Sequence, residues 1–128
     1  MEPHTGVITN PKFRMWLRSD GIVHVVWLPG TEADVNDAIA SFEAMAQLTG
    51  GRRSPLLVDM REIGPHDRAT RAEWARHLDL VTAVALVVGT PLSRMMGNLS
   101  INMKRPTTPL QLFDDDASAL AWLRASER

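Results

Sequence analysis

The chain has 128 residues, 45% apolar and 23% charged, a balance that suits one folded domain and excludes a disordered or fibrous chain. A net charge of −1, from 14 basic and 15 acidic residues, gives no overall field to attract nucleic acid or an anionic membrane. With no cysteine, disulfides, thiolate catalysis and thiolate metal sites are all excluded.

The opening MEPHTGVITNPK lacks a basic and then apolar leader pattern, and no apolar run approaches the roughly 18 residues of a membrane span. A cytoplasmic protein is therefore expected. Residues 1–11 read as a flexible arm, and 12–128 as one domain. From Lys12, Phe13, Met15 and Leu17 alternate with Arg14, Trp16 and Arg18; Ser19-Asp20-Gly21 is a turn signal and Ile22–Leu28 a second strand. These two runs predict a hairpin.

Pro29-Gly30 ends the hairpin, and Thr31 is the expected cap of a helix whose apolar positions Val35, Ala38, Ile39, Phe42, Met45 and Ala46 run to Gly50-Gly51. Leu56–Asp59 is a short unbroken apolar run, as in a strand covered on both faces. A second helix is expected from His66 to Leu78, with Ala69, Ala72, Ala75 and Trp74 inward. Ala83–Val88 is another buried strand. Thr90-Pro91 is a helix start, and Leu92, Met95, Met96, Leu99 and Met103 give one stripe before Pro106. Leu110–Phe113 is the last strand, and Asp114–Asp116 precede a helix with Ala117, Leu120, Ala121 and Leu123 inward.

The order β-β-α-β-α-β-α-β-α predicts an α/β domain with a five-stranded mixed, mostly parallel sheet and helices packed on it. In such a sheet the carboxyl ends of the strands and the helix N-termini share one edge, where ligands bind. Here that edge gathers Thr31, Asp59, Arg61, Thr90 and Asp114. Asp59 reads as a strand-end carboxylate that accepts from loop amides or pairs with an arginine. Arg61, Arg68, Arg71 and Arg94 read either as an anion-binding cluster or as a solvated face with ordinary ion pairs.

His4, His24, His66 and His77 lack metal-ligand spacing, so no metal is expected. G-x-S-x-G, G-x-x-x-x-G-K-[ST] and G-x-G-x-x-G are all missing, so neither enzyme activity nor a cofactor is expected. Large apolar residues left outside tend to mark contacts; Trp16, Ile101 and Trp122 are the candidates.

Four segments in this order, FRMWLRSDGIVHVVW, LLVDMREI, TPLSRMMGNLSINMKRP and PLQLFDDDASALAWL, resemble the STAS or anti-sigma-factor-antagonist family, over about residues 12–125. The resemblance implies a regulatory module that binds a protein partner. In the family's signalling members an acidic residue after the central strand is followed by a phosphorylated serine or threonine. The acidic position corresponds to Asp59, but Met60, Arg61, Glu62 and Ile63 offer no hydroxyl and Thr70 is the nearest downstream. Phosphorylation thus has no assigned acceptor.

The expectation is a non-catalytic interaction module that uses Asp59, Arg61, Arg94 and Asn98, with no nucleic-acid or membrane partner. The alternative is a domain that binds a small apolar or anionic ligand, between the helix that starts at Pro91 and the sheet or at the strand ends. Self-association through the first hairpin strand and Trp16 is a third expectation.

Overall fold

A computed structural model describes residues 6–102 and 108–126. Met103, Pro106 and residues 1–5 lie outside the described residues.

The strands are β1 (Ile8–Thr9), β2 (Phe13–Leu17), β3 (Val23–Trp27), β4 (Ser54–Asp59), β5 (Val81–Val87) and β6 (Leu110–Phe113). The helices are α1 (Val35–Thr49), α2 (Arg68–Arg76), α3 (Pro91–Ile101) and α4 (Asp116–Ser126), with a short 3₁₀ turn at Leu78–Leu80. One six-stranded sheet carries the strands in sequence order. β1, β2 and β3 pair antiparallel, and β3 to β6 pair in parallel. This is the expected mixed, mostly parallel α/β architecture.

The sixth strand is β1, two residues inside the segment read as an arm. The Asn10 carboxamide accepts from the amides of Lys12 and Phe13 at 2.8 and 2.9 Å and turns the chain, so that Ile8 lies opposite Met15. A two-residue strand is too short for its alternation to register.

Each of the two sheet faces is covered by different helices. On one face Phe13, Met15, Val25, Trp27, Leu56 and Leu86 pack with Phe42 and Met45 of α1, Trp74 of α2 and Met96 of α3. On the other face α4 alone places Ala119 and Leu123 against Leu57, Ala85 and Val87. Both patterns explain why β4 and β5 read as unbroken apolar runs.

One cap and one helix start differ from expectation. α1 is capped by Asp34 rather than Thr31: Asp34 accepts from the Asp37 amide at 2.9 Å and Asp37 reciprocates on the Asp34 amide at 2.8 Å. The Thr31 hydroxyl instead faces the Lys12 carbonyl. α2 starts at Arg68, where Asp67 accepts from the Thr70 amide at 2.9 Å. The Thr90 cap with Pro91 in the first turn of α3 is as predicted.

The inner face of α3 also differs. Met95 is 51% and Leu99 37% exposed, whereas Ser93, Met96 and Gly97 are buried. A Cβ on Gly97 would lie 3.0 Å from Leu112 and 3.1 Å from Val88, so the helix lies against the sheet through its smallest residues. A search for apolar spacing counts methionine and leucine and overlooks Ser93 and Gly97.

Candidate functional site

Asp59 ends β4 and Arg61 lies in the loop that follows. Arg61 donates from Nη2 to Asp59 Oδ2 at 2.7 Å and from Nε to Oδ1 at 3.1 Å, and its backbone amide also reaches Oδ1. A further contact runs from Nη2 to Asp116 at the start of α4, at 3.4 Å. Burial pushes the Asp59 carboxyl up, but the hydrogen bonds and charge of Arg61 outweigh it and hold the group below its ordinary value. The same pairing raises the Arg61 guanidinium.

The other edge residues stand apart from this pair. Arg94, on α3, forms an exposed ion pair with Asp114 at 2.6 Å. Asn98 is exposed one turn further along α3. No ion pair or hydrogen bond joins Asp59 or Arg61 to Arg94 or Asn98 among the described residues. Arg68 is exposed at the start of α2, and Arg71 lies elsewhere, beneath the helices. The four arginines therefore do not converge on one anion site.

Two hydroxyls close to this edge are built into the fold. Thr70 is fully buried and donates to Asp67 at 2.7 Å. Ser93 is fully buried as well and accepts from the Gly89 and Thr90 amides, each at 2.9 Å. In the folded chain neither is open to a kinase.

On the α4 side of the sheet, His24 is buried and stacks on Trp16, with ring centroids 4.3 Å apart. Its Nδ1 has no partner among the described residues. Burial lowers its pKa, so the ring is neutral near pH 7. Trp122 packs against Phe113 at 5.6 Å, and Ile101 is partly buried. The exposed large apolar side chains of α3 are Met95 and Leu99.

Between the opposite sheet face and α1, α2 and α3 lies a cavity of about 80 Å³. Its wall is almost wholly apolar, with Trp27, Phe42, Met45, Met60 and Trp74 among its residues. The cavity reflects the thinness of α2, whose buried residues are Thr70 and Glu73 and whose Ala75 contributes only a methyl group. Trp27 and Trp74 meet edge to face at 5.6 Å.

Four polar residues line this wall: Ser41 and Ser100, whose hydroxyls donate to the Ala38 and Met96 carbonyls of their own helices, and His66 and Arg71. Arg71 Nη1 donates to the His66 carbonyl at 2.8 Å and meets His66 Nδ1 at 3.4 Å. Burial, reinforced by the Arg71 charge, lowers the His66 pKa to about 4. A neutral ring that accepts at Nδ1 carries its proton on Nε2. Both His66 and Arg71 are in the sequence reading, His66 as a non-ligand and Arg71 as one of four arginines that form either an anion-binding cluster or a solvated face. The placement of α2 over a void is a tertiary property without a local signal.

Two covered faces, a hairpin opening and four helices define an α/β domain of the STAS-like, or SpoIIAA-like, class. A family model described as a domain of unknown function, DUF7793, matches residues 15–127, and the chain belongs to that family. Among solved structures it is similar to an uncharacterised DUF3478-family protein with a SpoIIAA-like fold from Shewanella loihica PV-4, at 16% identity and a TM-score of 0.60. That match covers 92% of this chain and 99% of the other. A protein of unknown function from Arthrobacter sp. FB24 is 24% identical, over 87% of this chain and 92% of the other, with a TM-score of 0.34. No curated protein matches.

Proposed function

We propose that this domain is a non-catalytic binding module that holds a small apolar ligand between its sheet and helices α1, α2 and α3. The cavity of about 80 Å³, walled by apolar and aromatic side chains, carries this reading. It has room for roughly five water molecules, or for one ring with a short chain, and an apolar wall holds water poorly. The strand-end edge, by contrast, has Asp59, Arg61, Arg94 and Asp114 engaged in ion pairs and the Thr90 and Ser93 hydroxyls in the cap of α3, which favours binding over catalysis.

A ligand held only by the folded state raises the melting temperature, by roughly 10 °C at a hundredfold excess over Kd. Trp27 and Trp74 line the cavity, so binding also alters tryptophan fluorescence. Octanol, indole and short fatty acids are suitable probes. Ala75→Phe fills the space and abolishes both signals while the circular dichroism stays native. A flat response of the parent protein to all three probes refutes the reading.

A second reading, a protein partner docked on α3, is favoured by Met95 and Leu99, exposed one turn apart beside Arg94 and Asn98. Arg94→Glu and Leu99→Asp then weaken capture of that partner without loss of fold. Unchanged capture by both variants refutes it. Arg61 is a poor probe of this surface, because charge reversal there sets two carboxylates, Asp59 and Asp116, against a third.

A further inference from the structure

We infer that the ligand of this cavity bears a carboxylate, and that Arg71 is the residue that binds it. The inference rests on the cavity being a ligand site. It starts from the charge balance of the arginines. Three described arginines are drawn in from the surface: Arg18, Arg61 and Arg71. Arg18 holds Asp20 and Arg61 holds Asp59. Arg71 has no carboxylate within ion-pair distance among the described residues.

The partners of Arg71 are all neutral: the His66 carbonyl, His66 Nδ1 and, at 3.9 Å, the Met96 sulfur. All three contacts are made by Nη1. Nε and Nη2 have no hydrogen bond among the described residues, and together they form the edge of the guanidinium that fits a carboxylate in a fork. The nearest acid in sequence, Asp67, is committed to the α2 cap through the Thr70 amide and hydroxyl. Asp67 acts on Arg71 only at longer range. His66, neutral beside it, adds no second positive charge.

One unpaired cation at an apolar wall suits a monoanion. A phosphate monoester would bring a second negative charge for which this wall has no partner. The aromatic wall of Trp27, Phe42 and Trp74 favours a ring or short chain beside the acid group. A compact arylalkyl or short-chain carboxylate satisfies both ends.

The test compares 3-phenylpropanoate with 3-phenylpropanol and phenyl phosphate, by tryptophan fluorescence titration and thermal shift, on the parent chain, Arg71→Met and Arg71→Lys. The parent should bind the acid at least tenfold more tightly than the alcohol, and more tightly than the phosphate. Arg71→Met should bind acid and alcohol alike. Should the methionine variant not fold, Arg71→Lys decides: it keeps the charge, loses the fork and holds the acid several-fold more weakly than the parent. Equal affinity for acid and alcohol in the parent overturns the carboxylate assignment and leaves the cavity reading standing. A preference for the acid that survives Arg71→Met, or is undiminished in Arg71→Lys, overturns the role of Arg71. Tighter binding of phenyl phosphate overturns the monoanion argument, and no response to any probe overturns the cavity reading with it.

Discussion

Arg61 turns back across one residue to clasp Asp59 in a fork, with Nη2 to Oδ2 at 2.7 Å. The last residue of a buried strand is thereby neutralised by its own chain. Because Arg61 remains 39% exposed, the pair contributes modestly, about 1 kcal/mol, to stability. Asp59 has a lowered pKa in the fold, so its contribution is present above the unfolded carboxylate value near 3.8 and is lost as pH falls through the lower folded value.

Arg61→Ala removes the fork and leaves the desolvation. The Asp59 carboxyl carbon, followed by NMR titration, should then titrate at a higher pH than in the parent. An unmoved midpoint would show that the backbone amide, not Arg61, holds the group down.

The histidines set the acid limb of stability. His66 falls from an ordinary 6.5 to about 4 in the fold, and His24 shifts in the same direction. Between pH 6.5 and 4 the unfolded chain therefore binds more protons than the native one. The His66 contribution is full above pH 6.5 and declines on acidification, by up to about 1.4 kcal/mol per pH unit, and His24 acts in the same direction. Urea unfolding at pH 7.5, 6, 5 and 4.5 measures this slope. His66→Gln should flatten it, and an identical slope in that variant would remove His66 from the account.

Gly64 joins two loops at the carboxyl edge of the sheet. Its amide donates to the Thr31 carbonyl at 2.8 Å, and a Cβ there would lie 2.8 Å from the Gly30 oxygen and 2.9 Å from that of Thr31. Backbone oxygens cannot swing aside as a side chain can. Gly64→Ala should destabilise by about 1–3 kcal/mol, read as a lower urea midpoint. A melting temperature equal to the parent's would mean that the loops separate freely.

Element type was legible wherever a residue pattern is local. The hairpin turn at Asp20-Gly21 and the Thr90-Pro91 helix start occur in the structure as read, and the covered runs Leu56–Asp59 and Ala83–Val88 fall on β4 (Ser54–Asp59) and β5 (Val81–Val87). Orientation was harder to read. Met95 and Leu99 look like core by spacing, yet Gly97 and Ser93 face the sheet, because close approach of a helix selects small residues. At the candidate site, Asp59 and Arg61 are two positions apart in sequence and their pairing was within reach of local reasoning. The cavity was not, since it depends on what α2 fails to fill.

The sequential order of the strands has a consequence for how the chain is assembled during synthesis. Each new strand from β2 to β6 can dock beside the one already made, so the sheet lengthens in the direction of translation. The face carrying Leu57, Ala85 and Val87 stays bare until α4 has been made. When α4 docks, Arg124 reaches Asp20 in the hairpin turn at 2.9 Å, across 104 positions of sequence. Of the described elements, α4 is the last in chain order, and it supplies the helical cover of the second face.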